Sequence, residues 1–153
     1  MDSLPRGPRL APLLEEEVFV GLQRTADWLL QGIEQILKTQ GLSQTQYNVL
    51  RILRGAGPRG LSCSEIGERM ITRDPDMTRL LDRMEERGLV ARERQQIDRR
   101  VVTTRVTPAG LKLLKSLDHP VREYHRRRFR HIAGARLKTL AVLLEEARKR
   151  EPG

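Results

Sequence analysis

Aromatic side chains are scarce, at 3% of the 153 residues. That excludes a protein reading single-stranded nucleic acid by stacking bases on aromatic platforms. It also requires a core of Leu, Ile, Val, Met and Ala. Cys63 is the only cysteine, so no internal disulfide forms, consistent with a reducing compartment. No apolar run approaches the roughly 20 residues that cross a bilayer, and the N-terminus carries no apolar signal core. A cytoplasmic location with no membrane partner is expected. Acidic side chains are too few to balance the basic ones: 20 Asp and Glu face 29 Lys and Arg, a net charge of +9. Such an excess points to a polyanionic partner.

Catalytic signatures are missing too. No nucleophile, base and orienter recur at workable spacing, and no glycine-rich loop cradles phosphate. No enzyme and no cofactor are expected. His119, His125 and His131 are spaced by six, which places them on different helix faces, so no metal site is expected.

What the sequence does contain centres on Leu61 to Thr107, and within it on Asp74 to Leu89. Asp74 can cap a helix and Pro75 fits its first turn. Met77, Leu80, Leu81, Met84 and Gly88 then share one helical face. Arg79 and Asp82 point the opposite way, with Thr78 and Arg83 on the flanks. Such a helix can enter a DNA major groove. Gly88 ends it, and Leu89–Arg94 and Val101–Thr107 read as a hairpin around the charged tip Gln95–Arg100. Helix, helix and Arg-tipped hairpin is the winged helix-turn-helix order, with the tip suited to phosphates or a minor groove.

These residues resemble the MarR family of bacterial transcriptional regulators. The likeness rests on Leu80–Val90, on Asp98-Arg99-Arg100, and on Val106-Thr107-Pro108-Ala109-Gly110, and it extends over roughly residues 13 to 150. It departs from the family at Thr104, where an aliphatic residue is usual. The resemblance implies a mostly α fold with a small β-hairpin wing, in which the first and last two helices build a symmetric dimer. It also implies Asp98 and Arg100 as a motif pair, and a small aromatic or amphipathic effector held between those helices and the winged unit. Trp28, Tyr47 and Arg51 are the candidates to line that space.

Four segments are expected. Residues 1–12, with three prolines and no periodicity, form a loose arm in which Arg6 and Arg9 can touch phosphate. Residues 13–40 form a helix from Leu14 to about Thr39. Its apolar face is broad enough to suggest a dimer interface. Residues 41–107 are the winged unit, with capping boxes at Ser43–Gln46 and Ser62–Glu65 starting its first helices. In residues 108–150, Thr107 caps a long helix with a kink expected near Pro120, and a last helix follows Gly134.

Charge is uneven along the chain: net −2 over residues 1–40, +4 over 41–107 and +7 over 108–153. The cluster Arg126, Arg127, Arg128 and Arg130 accounts for the extra basicity of this last third. These either grip DNA from the scaffold, pair with Glu15–Glu17 of a partner, or simply face water.

Among contact candidates, Arg79 and Arg83 suit base edges or phosphates, Arg being the commonest reader of guanine. Thr78 and Arg73 suit the helix entrance. Asp76 either favours the helix dipole or accepts from cytosine. Arg99 and Arg100 suit a minor groove or phosphates, with Asp98 bracing one of them. Ser62 and Ser64 can meet a phosphate, although Ser62 is mainly a cap. Cys63 sits at a helix start, where thiol pKa tends to fall, but family redox cysteines lie in the first helix, so no redox role is expected. The reading is a homodimeric regulator, a repressor, on a pseudo-palindromic double-stranded operator. The competing one is a sequence-indifferent, nucleoid-type DNA coat.

Overall fold

The computed structural model describes Ala11 and residues 13–149, so the arm expected over 1–12 lies almost wholly outside the described residues. Six helices and three strands follow one another among them. They run α1 (Leu14–Lys38), α2 (Gln44–Ala56), a 3-10 turn (Gly57–Arg59), β1 (Leu61–Ser62), α3 (Cys63–Arg69), α4 (Met77–Glu86), β2 (Val90–Arg94), β3 (Val102–Val106), α5 (Pro108–Phe129) and α6 (Gly134–Arg148).

Local chemistry sets most of these boundaries. Ser43 accepts from Gln46 N and Ser62 from Glu65 N, while each Gln or Glu returns to the cap's own N–H. Both are capping boxes, as the sequence indicates. Thr107 Oγ1 accepts from Gly110 N at 3.1 Å, and Pro108 opens α5, where its missing N–H costs nothing. The helix runs on without interruption through Pro120.

The start of α4 differs from expectation. The cap is Asp76, whose Oδ1 accepts from Arg79 N at 3.1 Å, and the helix begins at Met77. Asp74 turns its carboxylate onto Asp76 N at 2.8 Å, closing a turn around Pro75 ahead of the helix. Gly88 lies outside the buried face. It is exposed at φ +70, the left-handed stop after the last turn.

The sheet has the antiparallel order β1-β3-β2. The hairpin pairs Val90 with Val106 and Arg94 with Val102. The short strand β1, absent from the sequence reading, adds Leu61 opposite Thr104. Thr104, which departs from the family's aliphatic residue, is 1% exposed in the centre of the sheet.

The core lies under this sheet and between α2, α3, α4 and α5. Leu50, Leu53, Leu61, Ile66, Leu81, Met84, Leu114 and Leu117 are all buried there. Tight joints hold it. A Cβ on Gly110 would meet Leu89 O, so the start of α5 lies directly on the α4–β2 link. Farther along, Gly32 of α1 lets Tyr124 of α5 approach closely, and Tyr124 donates to Leu29 O at 2.8 Å.

Outside that core the helices are bare. α6 has no buried residue and α1 has one, Leu37. Leu14, Val18, Phe19, Leu22, Leu140, Val142 and Leu143 are all exposed. Among the described residues, no helix is long and apolar enough to cross a membrane.

Candidate nucleic-acid interface

α4 is amphipathic in the sense the sequence indicates. Leu81 and Met84 are buried, Met77 and Leu80 half-buried, and Asp76, Thr78, Arg79 and Arg83 exposed. Arg79 and Arg83 stand four residues apart on one face. Neither makes an ion pair among the described residues, and the same holds for Arg73, Arg99 and Arg100. By contrast, Arg54, Arg59, Arg92 and Arg105 are each matched to a carboxylate. Arg73, Arg79, Arg83, Arg99 and Arg100 therefore hold their charge free for an outside anion, whereas Arg126 and Arg127 of the C-terminal cluster lie against Glu123 of their own helix.

Three adjoining clefts tie these residues together. One of about 390 Å³ lies between the start of α3, α4 and the base of the wing, and includes Ser62, Ser64, Thr78 and Arg100. The next includes Ser64, Arg73, Asp76 and Thr78. The third includes Asp76, Arg79 and Arg83. Thr78 and Asp76 are shared between neighbours, so the surface is continuous from wing to helix. It offers hydroxyls, helix-terminal amides and guanidinium groups, the donor set that phosphates and base edges accept from. Ser62 is half-buried with its hydroxyl engaged as the α3 cap, whereas Ser64 is exposed.

At the wing tip, Gln95 N donates to Val101 O and Val101 N to Asp98 O, both at 3.0 Å. Asp98 Oδ1 accepts from Arg100 N at 3.0 Å. Its bracing therefore acts on the backbone of Arg100 and leaves the guanidinium free.

Several positioning residues escape the sequence reading. Arg92 of β2, mostly buried, donates to Asp82 and to Glu85 Oε1, and Glu85 Oε2 accepts from Arg92 N at 2.9 Å. This clamps α4 to the wing. The Arg92 side-chain hydrogen bond holds the Glu85 carboxyl below its ordinary value. Strand alternation puts Arg92 on the inward face with Val90, and an inward Arg signals waiting carboxylates; Asp82 and Glu85 supply them. Arg87 donates to Gly41 O at 2.8 Å and Gln40 O at 3.3 Å, pinning the end of α4 to the α1–α2 turn. Asn48 accepts from Ile71 N at 2.9 Å and fixes the loop entering α4.

The effector candidates are only partly brought together. Arg51 sits 5.8 Å from the Tyr47 ring centre. Burial pushes the Tyr47 hydroxyl above its ordinary pKa, with Arg51 opposing. Trp28 instead lies beneath Arg128 of α5, at 4.2 Å, and Arg128 also covers Tyr124 at 5.0 Å. Cys63 is a half-buried free thiol against the core. Among the described residues no group of three or more His, Cys, Asp and Glu is placed to hold a metal.

Comparison with known proteins agrees with this architecture. The MarR family model matches residues 42–102. The HTH-type transcriptional repressor IacR of Pseudomonas putida is 31% identical over 131 residues, 86% of this chain and 77% of that protein. A MarR transcription factor from Planctomyces limnophilus has a crystal structure 43% identical to this chain, with TM-score 0.68, covering 90% of this chain and 98% of that one. A mutant MarR from E. coli, solved with operator DNA, shares the fold at 20% identity and TM-score 0.78, covering 91% and 100%. With a winged unit built this way and relatives this similar over most of its length, the chain belongs to the MarR family of transcriptional regulators and is not an enzyme.

Proposed function

We propose that two copies of this chain form a two-fold dimer that represses transcription by occupying a pseudo-palindromic double-stranded operator. Each α4 lies in a major groove, with Arg79 and Arg83 toward base edges. Each Asp98–Arg100 wing tip lies in the flanking minor groove, and half-sites repeat about 10 base pairs apart. Ser62, Ser64, Arg73, Asp76 and Thr78 fix the register on the phosphates. The observation that carries this is the continuous surface on which Arg73, Arg79, Arg83 and Arg100 stand without carboxylate partners among the described residues. The role of repressor is taken over from IacR, and the DNA contact accords with the E. coli relative solved on its operator.

The dimer rests on residues 13–40 and 108–150. A 15-residue helix with no buried side chain, such as α6, is marginal alone in water, because helical stability comes mostly from packing an apolar face. A second copy supplies the missing face twice over, as a two-fold axis requires.

The test is a binding titration against a palindrome library at two salt concentrations. Arg79→Ala lowers specific affinity by about 1–3 kcal/mol and relaxes the sequence preference, whereas Arg99→Ala mainly lowers the salt slope by about one. Equal losses on all sequences for Arg79→Ala contradict base reading. Footprinting separates the regulator, with one short protected window, from a DNA coat with diffuse protection.

Release by a small effector is a second reading, favoured by the pairing of the Tyr47 ring with Arg51, a cation beside an aromatic face. Thermal shift against aromatic carboxylates tests it, and stabilisation by none of them rejects it.

A further inference from the structure

We infer that Ile97 is an apolar minor-groove contact at the wing apex and makes this protein prefer A·T over G·C pairs beneath the tip. The inference rests on the reading above that the wing enters a minor groove.

Ile97 is 100% exposed. The other large apolar side chains of the hairpin, Val90, Val101, Val102 and Val106, are buried or half-buried against the sheet and core. Ile97 has no such shelter. The bonds from Gln95 N to Val101 O, from Val101 N to Asp98 O and from Arg100 N to Asp98 Oδ1 close the turn around it and fix the backbone that carries it at the tip. A branched hydrocarbon at the apex gains nothing within the protomer.

Its neighbours indicate where it is sheltered. Arg99 and Arg100 have no carboxylate partner among the described residues, and Asp98 spends an oxygen on the Arg100 backbone. The apex is thus hydrocarbon flanked by free cations. That is the chemistry of a minor-groove wedge, with the cations meeting the phosphate walls and the side chain the sugars and base floor. On that floor A·T pairs show acceptors only, while G·C adds the protruding 2-amino group of guanine. That group blocks a branched side chain and loses its water when covered.

The experiment uses the full-length protein, Ile97→Ser and Arg100→Ala on operators whose wing-protected pairs are A·T, G·C or inosine·C. Inosine lacks only the 2-amino group. The unaltered protein should bind A·T and inosine·C about tenfold tighter than G·C, and Ile97→Ser should bind all three within about twofold. Arg100→Ala should weaken all three alike. If Ile97→Ser keeps the discrimination, or inosine·C behaves as G·C, while Arg100→Ala still weakens binding, the assignment to Ile97 is overturned and the wing contact stands. If neither variant changes binding, the wing contact falls as well. Because Ile97 touches no core residue, unchanged melting temperature is expected for its variant.

Discussion

The winged unit and the helices flanking it are made of similar residues and come to opposite ends. In the first, Leu50, Leu53, Ile66, Leu81 and Met84 are sealed from water within one chain. In the second, Val18, Phe19, Val142 and Leu143 are periodic enough to form helices yet remain exposed. An amphipathic pattern specifies a helix but not the chain that covers its face. The winged unit is completed within its own chain, with Leu37 of α1 and Leu114 and Leu117 of α5 closing its core, and the outer faces of the flanking helices, in our proposal, by a second copy.

The sharpest way to test that division is to damage each half. Leu50→Ala should cost about 2–5 kcal/mol of stability, read from the urea midpoint, because the cavity lies among residues that cannot collapse into it. Leu143→Asp should leave the winged unit folded and weaken the dimer by about 2 kcal/mol, seen as a monomer in sedimentation at micromolar concentration. If Leu143→Asp instead unfolds the whole chain, the two halves are not separable.

Smaller effects probe the joint between helix and wing. Arg92→Met should cost only about 1 kcal/mol of stability, since its carboxylate partners are partly solvated. It should nonetheless blur operator discrimination, because α4 and the wing are no longer held at a fixed spacing. The least effect is in pH. Glu85 is held below its ordinary value of 4.5 by the Arg92 hydrogen bond, so folding favours its carboxylate form. Its contribution is therefore complete above that value and is lost as pH falls through the lower, folded-state value. Denaturation between pH 5 and pH 3 should show a shallower decline for Glu85→Gln than for the unaltered protein.

The sequence makes the local features legible. The boxes at Ser43 and Ser62 and the Thr107-Pro108 start involve residues within four positions of each other, and their outcome does not depend on the fold. The phase of α4 likewise places Thr78, Arg79 and Arg83 outward. Its start was ambiguous because Asp74 and Asp76 are both able caps, and only the turn around Pro75 decides between them. β1 is two residues long and has no periodicity to read; it exists because β3 offers it an edge. The Arg92 clamp joins residues ten and seven apart across two elements, and distance in sequence hides it. Tyr47 and Arg51 are neighbours on α2, whereas the place of Trp28 under Arg128 depends on how α1 lies along α5.

The hairpin and the long helix meet at Thr107 alone, between Val106 and Pro108, and Gly110 presses that junction onto Leu89. A joint this short has no slack. α5 spans 22 residues, about 33 Å at the usual rise. Tilting it by ~5° about its far end carries the hairpin sideways by ~3 Å, close to a base-pair step. In the proposed dimer, how two protomers lean on each other is thereby geared directly to where the two hairpins would land on a duplex.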